Sequence, residues 1–198
     1  MATTRRFERA TEENWMYPPA EGWTFDQVKD LDLPFDWVLV DGVVVVRGRT
    51  KYWHNIVRDE VADHLKQART KPYRVVTEQC VMYDEYTRPK PDVIVFDPTG
   101  LELFDLECVP VQKLALVVEV VSPGSRTDDR FTKPALFSDA LVPTYWRIER
   151  ERDGRLGLYE YRLDTETRSY APPQAHRDRF ITELPFPVEF DLQALLDL

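Results

Sequence analysis

Two apolar runs, each carrying one carboxylate, constrain this chain more than any other feature: Pro91-Asp92-Val93-Ile94-Val95-Phe96 and Leu114-Ala115-Leu116-Val117-Val118-Glu119-Val120. Both are short, β-branched and nearly unbroken, the pattern of strands buried on both faces of a sheet. An ionised carboxylate inside such a strand is costly unless it is paired, hydrogen-bonded or bound to a metal. Two of them in neighbouring core strands point to one cation site built across the strands. An all-oxygen donor set of this kind suits Mg²⁺ or Mn²⁺. A strand-end cap or a salt bridge would account for either acid alone; the pair and the segment after it favour the metal.

Glu119 runs directly into Val120-Val121-Ser122-Pro123-Gly124-Ser125. Proline removes a ladder donor and glycine admits unusual backbone angles, so the strand ends there. A helix is expected to begin at Asp128 or Asp129 as N-cap, with Lys133 four residues beyond Asp129 on the same face. Pro134 either moves the helix start to about Lys133 or kinks the element. A lysine one turn into that helix can return its ammonium to the carboxylates.

The remaining pattern supplies the frame. Residues 1–20 are polar, carry Pro18-Pro19 and read as an N-terminal arm, with residues 21–198 as a single domain. Thr24 caps a short helix to about Leu31. Trp37–Val40 and Val43–Val46 flank Asp41-Gly42, a strong hairpin signal. Ile56, Val57, Val61 and Leu65 recur at helical spacing after His54. Tyr73–Val76 and Cys80–Tyr83 read as strands before the two acidic ones, and Tyr145–Ile148 as one after them. A last hairpin is expected from 156–163 and 167–170, and a short helix over 191–196. This order predicts an α/β fold, a mixed central sheet flanked by helices.

Composition narrows the class. At 198 residues with 43% hydrophobic content, the chain fits one domain with an ordinary core. No apolar run has the length of a membrane span and the N-terminus lacks a signal-peptide core, so a soluble cytoplasmic protein is expected. Cys80 and Cys108 have no metal-ligand spacing and read as free buried thiols. The net charge of −9 opposes broad electrostatic binding of nucleic acid. A local basic rim can overcome this, and Arg47, Arg49, Lys51, Arg88, Lys90, Arg126 and Arg130 are its candidates.

Taken in order, five motifs resemble those of the Uma2 (DUF820) family, within the PD-(D/E)XK restriction-endonuclease-like superfamily. They are Val40-Asp41-Gly42, His54, Pro91-Asp92, the Glu119-to-Ser125 run with Asp129 and Lys133, and Val142-Pro143-Thr144-Tyr145-Trp146. The likeness spans roughly residues 24–165. It implies a restriction-endonuclease-like fold with an N-terminal hairpin. It also implies that Asp92 and Glu119 bind Mg²⁺, with the catalytic lysine moved from the strand, where Val121 stands, to Lys133. Val38 stands where the family usually has a glutamate, Gly124 where it has a serine, and Leu141 where it has a glycine.

These readings imply metal-dependent hydrolysis of phosphodiester bonds in nucleic acid, DNA in preference to RNA. Asp92, Glu119 and the backbone carbonyl of Val120 would hold Mg²⁺ or Mn²⁺. Lys133 would orient water or neutralise developing charge, a nearby cation lowering its pKa toward base work, and His54 would shuttle protons or bind phosphate. The rival reading is a catalytically degenerate binding or regulatory protein on the same fold. The unalternating valines of 43–46 predict an exposed apolar strand covered by the N-terminal arm or a second copy, most simply in a homodimer.

Overall fold

The computed structural model of the chain describes residues 9–122 and 127–196. It begins with a one-turn helix α1 (Phe25–Val28), strands β1 (Trp37–Val40) and β2 (Val43–Val46), and helix α2 (Tyr52–Ala68). Strands β3 (Arg74–Thr77), β4 (Val81–Met82), β5 (Val93–Phe96), β6 (Val109–Pro110) and β7 (Leu114–Val120) follow. A π-helical turn (Asp128–Thr132) runs into helix α3 (Lys133–Asp139), then β8 (Thr144–Arg150) and β9 (Leu156–Asp164). The chain closes with β10 (Ser169–Tyr170), β11 (Gln174–His176), β12 (Arg179–Thr182), β13 (Val188–Asp191) and a 3₁₀ turn (Ala194–Leu196).

The central sheet has seven strands in the order β10-β9-β8-β7-β5-β3, with β11 also on β9. It is mixed: β7 and β8 are parallel and joined through α3, while β5 pairs β7 and β8 pairs β9 antiparallel. Every residue of β5 and β7 is buried, as their unbroken apolar sequence requires. Alternation then divides the core. Val93, Val95, Leu116 and Val118 pack with Val57, Val61 and Leu65 of α2, and with Phe180 and Phe190 of the β12–β13 hairpin. Ile94, Phe96 and Val117 pack on the opposite face, with Phe137 of α3.

The β1–β2 hairpin turns on Asp41 and Gly42, both at positive φ (48° and 73°), the backbone that a two-residue primed turn demands. A side chain at Gly42 would meet the Cα of Gly22 at 2.6 Å, so two glycines let the chain before α1 lie against the turn. Residues of the predicted N-terminal arm join this corner. The Ala10 amide donates to the Gln27 carbonyl (3.0 Å), and the Trp23 indole donates to the Trp15 carbonyl (3.0 Å).

Three expectations change. Cys80 and Cys108 form a disulfide, because parallel pairing of Val81 with Val109 sets their Cα atoms 4.5 Å apart. Residues 191–196 are not a helix: Asp191 ends β13 and only Ala194–Leu196 make a 3₁₀ turn. Residues 128–132 open as a π-helical turn that runs directly into α3, where Pro134 lacks an N–H to donate and the Asp129 carbonyl accepts the Tyr145 hydroxyl instead. Among the described residues no helix is long and apolar enough to cross a membrane.

Candidate active site

The register of β5 on β7 pairs Val93 with Val118, and its continuation sets Asp92 opposite Glu119. Directly opposed residues on antiparallel strands project to the same face. Glu119 continues the Val117 row to Lys133 at the start of α3, while Asp92, just before β5, reaches His54 of α2. The two carboxylates predicted from separate sequence segments therefore meet at one end of the sheet, and both residues are buried (3% and 2% exposed).

Each acid has its own partners. Asp92 Oδ2 accepts the Val120 amide at 2.7 Å and lies 3.3 Å from His54 Nε2, delivered by the first turn of α2. Its Oδ1 faces Arg47 Nη2 at 4.0 Å. Glu119 Oε1 is 2.8 Å from Lys133 Nζ, and the same ammonium is 2.7 Å from Asp129 Oδ1. Asp129 and Lys133 stand at i and i+4, so one helical turn aims the lysine at the strand. Tyr145 on β8 fixes that turn by donating its hydroxyl to the Asp129 carbonyl at 2.9 Å.

Burial and charge set the protonation of the cluster. Burial would raise Asp92, but the His54 hydrogen bond and charge, the Val120 amide and Lys133 hold it below the ordinary aspartate value. Burial likewise opposes charge on His54, yet the bond to Asp92 raises its pKa overall. Glu119 is pushed up to about 8, by burial first, against the pull of Lys133 and with the charges of Asp92 and Asp129 adding to the rise. Burial would lower Lys133, but Glu119 and Asp129 raise it above the ordinary lysine value. The two carboxylates therefore hold Lys133 toward its charged, hydrogen-bond-donating form.

The structure brings together Asp92, Glu119, Lys133 and His54, and it places Val120 there through its amide. Asp129 was read as a possible helix cap and as the partner of Lys133 in an Asp-x-x-x-Lys match, without a role in the site. Its buried carboxylate belongs to the cluster, and the Asp-x-x-x-Lys spacing was the available signal. Of the proposed basic rim, Arg47 lies beside Asp92 and pairs with Asp36 (2.9 Å) and Glu78 (3.4 Å). Lys90 pairs with Asp36, and Arg88 stacks over Phe25. Arg126 and the Pro123–Ser125 part of the loop lie outside the described residues. Among the described residues no three His, Cys, Asp or Glu side chains form a ready metal cage.

A family model, described as "Uma2: Putative restriction endonuclease", matches residues 8–195. The chain belongs to the Uma2 family. A solved structure described as "a putative nuclease belonging to DUF820 from Anabaena variabilis" superposes with a TM-score of 0.66 at 14% identity, covering 87% of this chain and 97% of that one. No curated protein matches the chain. The Uma2 assignment and the shared fold make the architecture restriction-endonuclease-like, with the mixed sheet and N-terminal hairpin expected of it. At the Uma2 position usually held by glutamate, Val38 sits half-buried in β1 and offers no oxygen. Leu141 adopts φ 61°, a backbone that glycine enters without cost.

Proposed function

We propose that this protein is a divalent-metal-dependent hydrolase of phosphodiester bonds in nucleic acid, DNA in preference to RNA. One observation carries the reading: two buried carboxylates, Asp92 and Glu119, lie at the same end of the paired strands β5 and β7, Asp92 accepting the Val120 amide and Glu119 2.8 Å from the Lys133 ammonium. The donor chemistry suits Mg²⁺, which takes one or two carboxylates and keeps several waters. Asp92 and Glu119 would hold the ion, with the Val120 carbonyl as a third oxygen. When bound, such an ion supplies positive charge to a phosphate oxygen and makes water more acidic.

The chain's own groups do the rest. The Val120 amide and His54 hold one oxygen of Asp92 and leave the other toward the site. Asp129 fixes Lys133 so that its ammonium can donate to a water or to charge developing on the phosphate. His54, charged more readily than a free histidine, serves first to position Asp92. A second reading, a binding protein without turnover, is favoured by Val38 and by the net charge of −9.

Labelled DNA and RNA oligonucleotides incubated with Mg²⁺ or with EDTA test the two readings. Cleavage that needs Mg²⁺ and falls about 10²–10³-fold in Lys133→Met is expected, since that variant removes a single charged donor. Metal affinity in Lys133→Met should persist. Because Glu119 and Asp129 would lose their shared cation, its thermal stability should fall. Oligonucleotide binding without cleavage under any divalent metal would favour the second reading.

A further inference from the structure

We propose that a basic groove beside the carboxylates seats an unpaired nucleotide next to the scissile phosphate, so that the substrate is single-stranded nucleic acid. The position of the scissile bond is taken from the hydrolase reading above; the groove itself is independent of it. The groove has a volume of about 310 Å³, and Lys51, Trp53, Arg130, Arg150 and Arg152 form much of its wall. Trp53 precedes His54 and Arg130 follows Asp129. Val121, also in the wall, lies two residues beyond Glu119. The segments that build the carboxylate site therefore build the groove as well.

Its charge is the exception in an acidic protein. Four cations line it together with two acids, Glu149 and Glu151, in a chain of net charge −9, and this local positive excess suits a polyanion. Of the two acids in the wall, Glu149 neutralises Arg130, while Glu151 is engaged outside the groove. Glu149 takes Arg130 and, at 3.3 Å, Arg147, while Glu151 takes Arg177 at 3.0 Å and the Tyr159 hydroxyl at 2.9 Å. Lys51, Arg150 and Arg152 are exposed, with the Arg150 Nε donating to the Gly154 carbonyl at 3.1 Å.

The aromatic content decides the strandedness. Trp53 is anchored on the core and set edge-on to His54 (6.1 Å between rings), and it lines the groove. Tyr52 and Phe131, each adjoining a groove cation in sequence though outside the groove wall, are 68% and 70% exposed among the described residues. Cations interleaved with exposed rings form the pattern that tracks a single strand, because unpaired bases can stack on the rings and bases within a duplex cannot.

Fluorescence anisotropy with labelled single-stranded and blunt duplex oligonucleotides, DNA and RNA, tests the groove in Ca²⁺, and cleavage is followed in parallel in Mg²⁺. Single strands should bind at least tenfold more tightly than duplex. Trp53→Leu should lose about tenfold in single-strand affinity, with Trp53→Phe restoring most of it. Lys51→Ala with Arg152→Ala, both at exposed positions, should reduce the salt slope of single-strand binding by about 1.4, the value for two phosphate contacts. Equal affinity for duplex, or a wild-type slope in the double variant, overturns the groove assignment; the hydrolase reading then stands if Mg²⁺-dependent cleavage persists. Single-strand binding that depends on Lys51 and Arg152, with no strand cut under any metal, supports the groove and removes the hydrolase reading instead.

Discussion

Glu119 is where burial and chemistry oppose each other. Its folded pKa of about 8 lies above the ordinary 4.5, so its contribution to stability is present below about pH 4.5 and is lost as pH rises through about 8. A divalent cation must displace the proton. Mg²⁺ or Mn²⁺ affinity should therefore rise about tenfold per pH unit up to about pH 8, with one proton released per ion. Calorimetry in buffers of different ionisation enthalpy measures both, and affinity that is flat from pH 6 to 8 would contradict the assignment. Asp92 and Glu119 were legible in the sequence because a charge inside a doubly buried strand demands a reason. Asp129 was legible as a cap and in its Asp-x-x-x-Lys spacing but not as a member of the site, because helix-start rules do not foresee that the π-helical turn carries it inward. Asp129→Asn should leave Lys133 attached to Glu119 alone and slow cleavage by about tenfold while sparing metal binding, as steady-state rates and calorimetry would show.

At the level of elements, α3 ends in a Schellman motif. The Leu141 amide donates to the Ser138 carbonyl and the Val142 amide to the Phe137 carbonyl, both at 2.9 Å, and Val142 and Phe137 share a core cluster. Leu141 occupies the left-handed position and is 43% exposed. Leu141→Gly should gain roughly 0.5–1 kcal/mol, the left-handed penalty less the entropy of an added glycine. Urea unfolding measures it; a loss would mean that the leucine side chain packs better than its exposure suggests. The central strands were readable from their apolar runs, and the β1–β2 turn from Asp41-Gly42. The β12–β13 hairpin was missed because its strands are short and its turn is a proline-rich stretch without a two-residue signature. The disulfide was missed because only the non-local parallel pairing of β4 with β6 brings its cysteines together.

On the scale of the whole molecule, net charge misleads where local charge informs: an acidic chain concentrates Lys51, Arg130, Arg150 and Arg152 beside its carboxylates. The hairpin raises a second question of surface. The described N-terminal residues pack on the Val44 side, while Val43, Val45 and Val46 remain 46%, 42% and 45% exposed. Two-fold pairing of β2 edges would cover them. Sedimentation velocity at micromolar concentration should show a dimer that Val45→Lys dissociates, and a wild-type monomer would leave the strand uncovered. The central claim is that Asp92 and Glu119 hold a divalent ion. Anomalous diffraction from a crystal soaked in Mn²⁺ reads it most directly. The expected result is a single peak about 2.1 Å from an oxygen of each carboxylate; density that leaves the pair bridged only by Lys133, or a peak away from both, would contradict it.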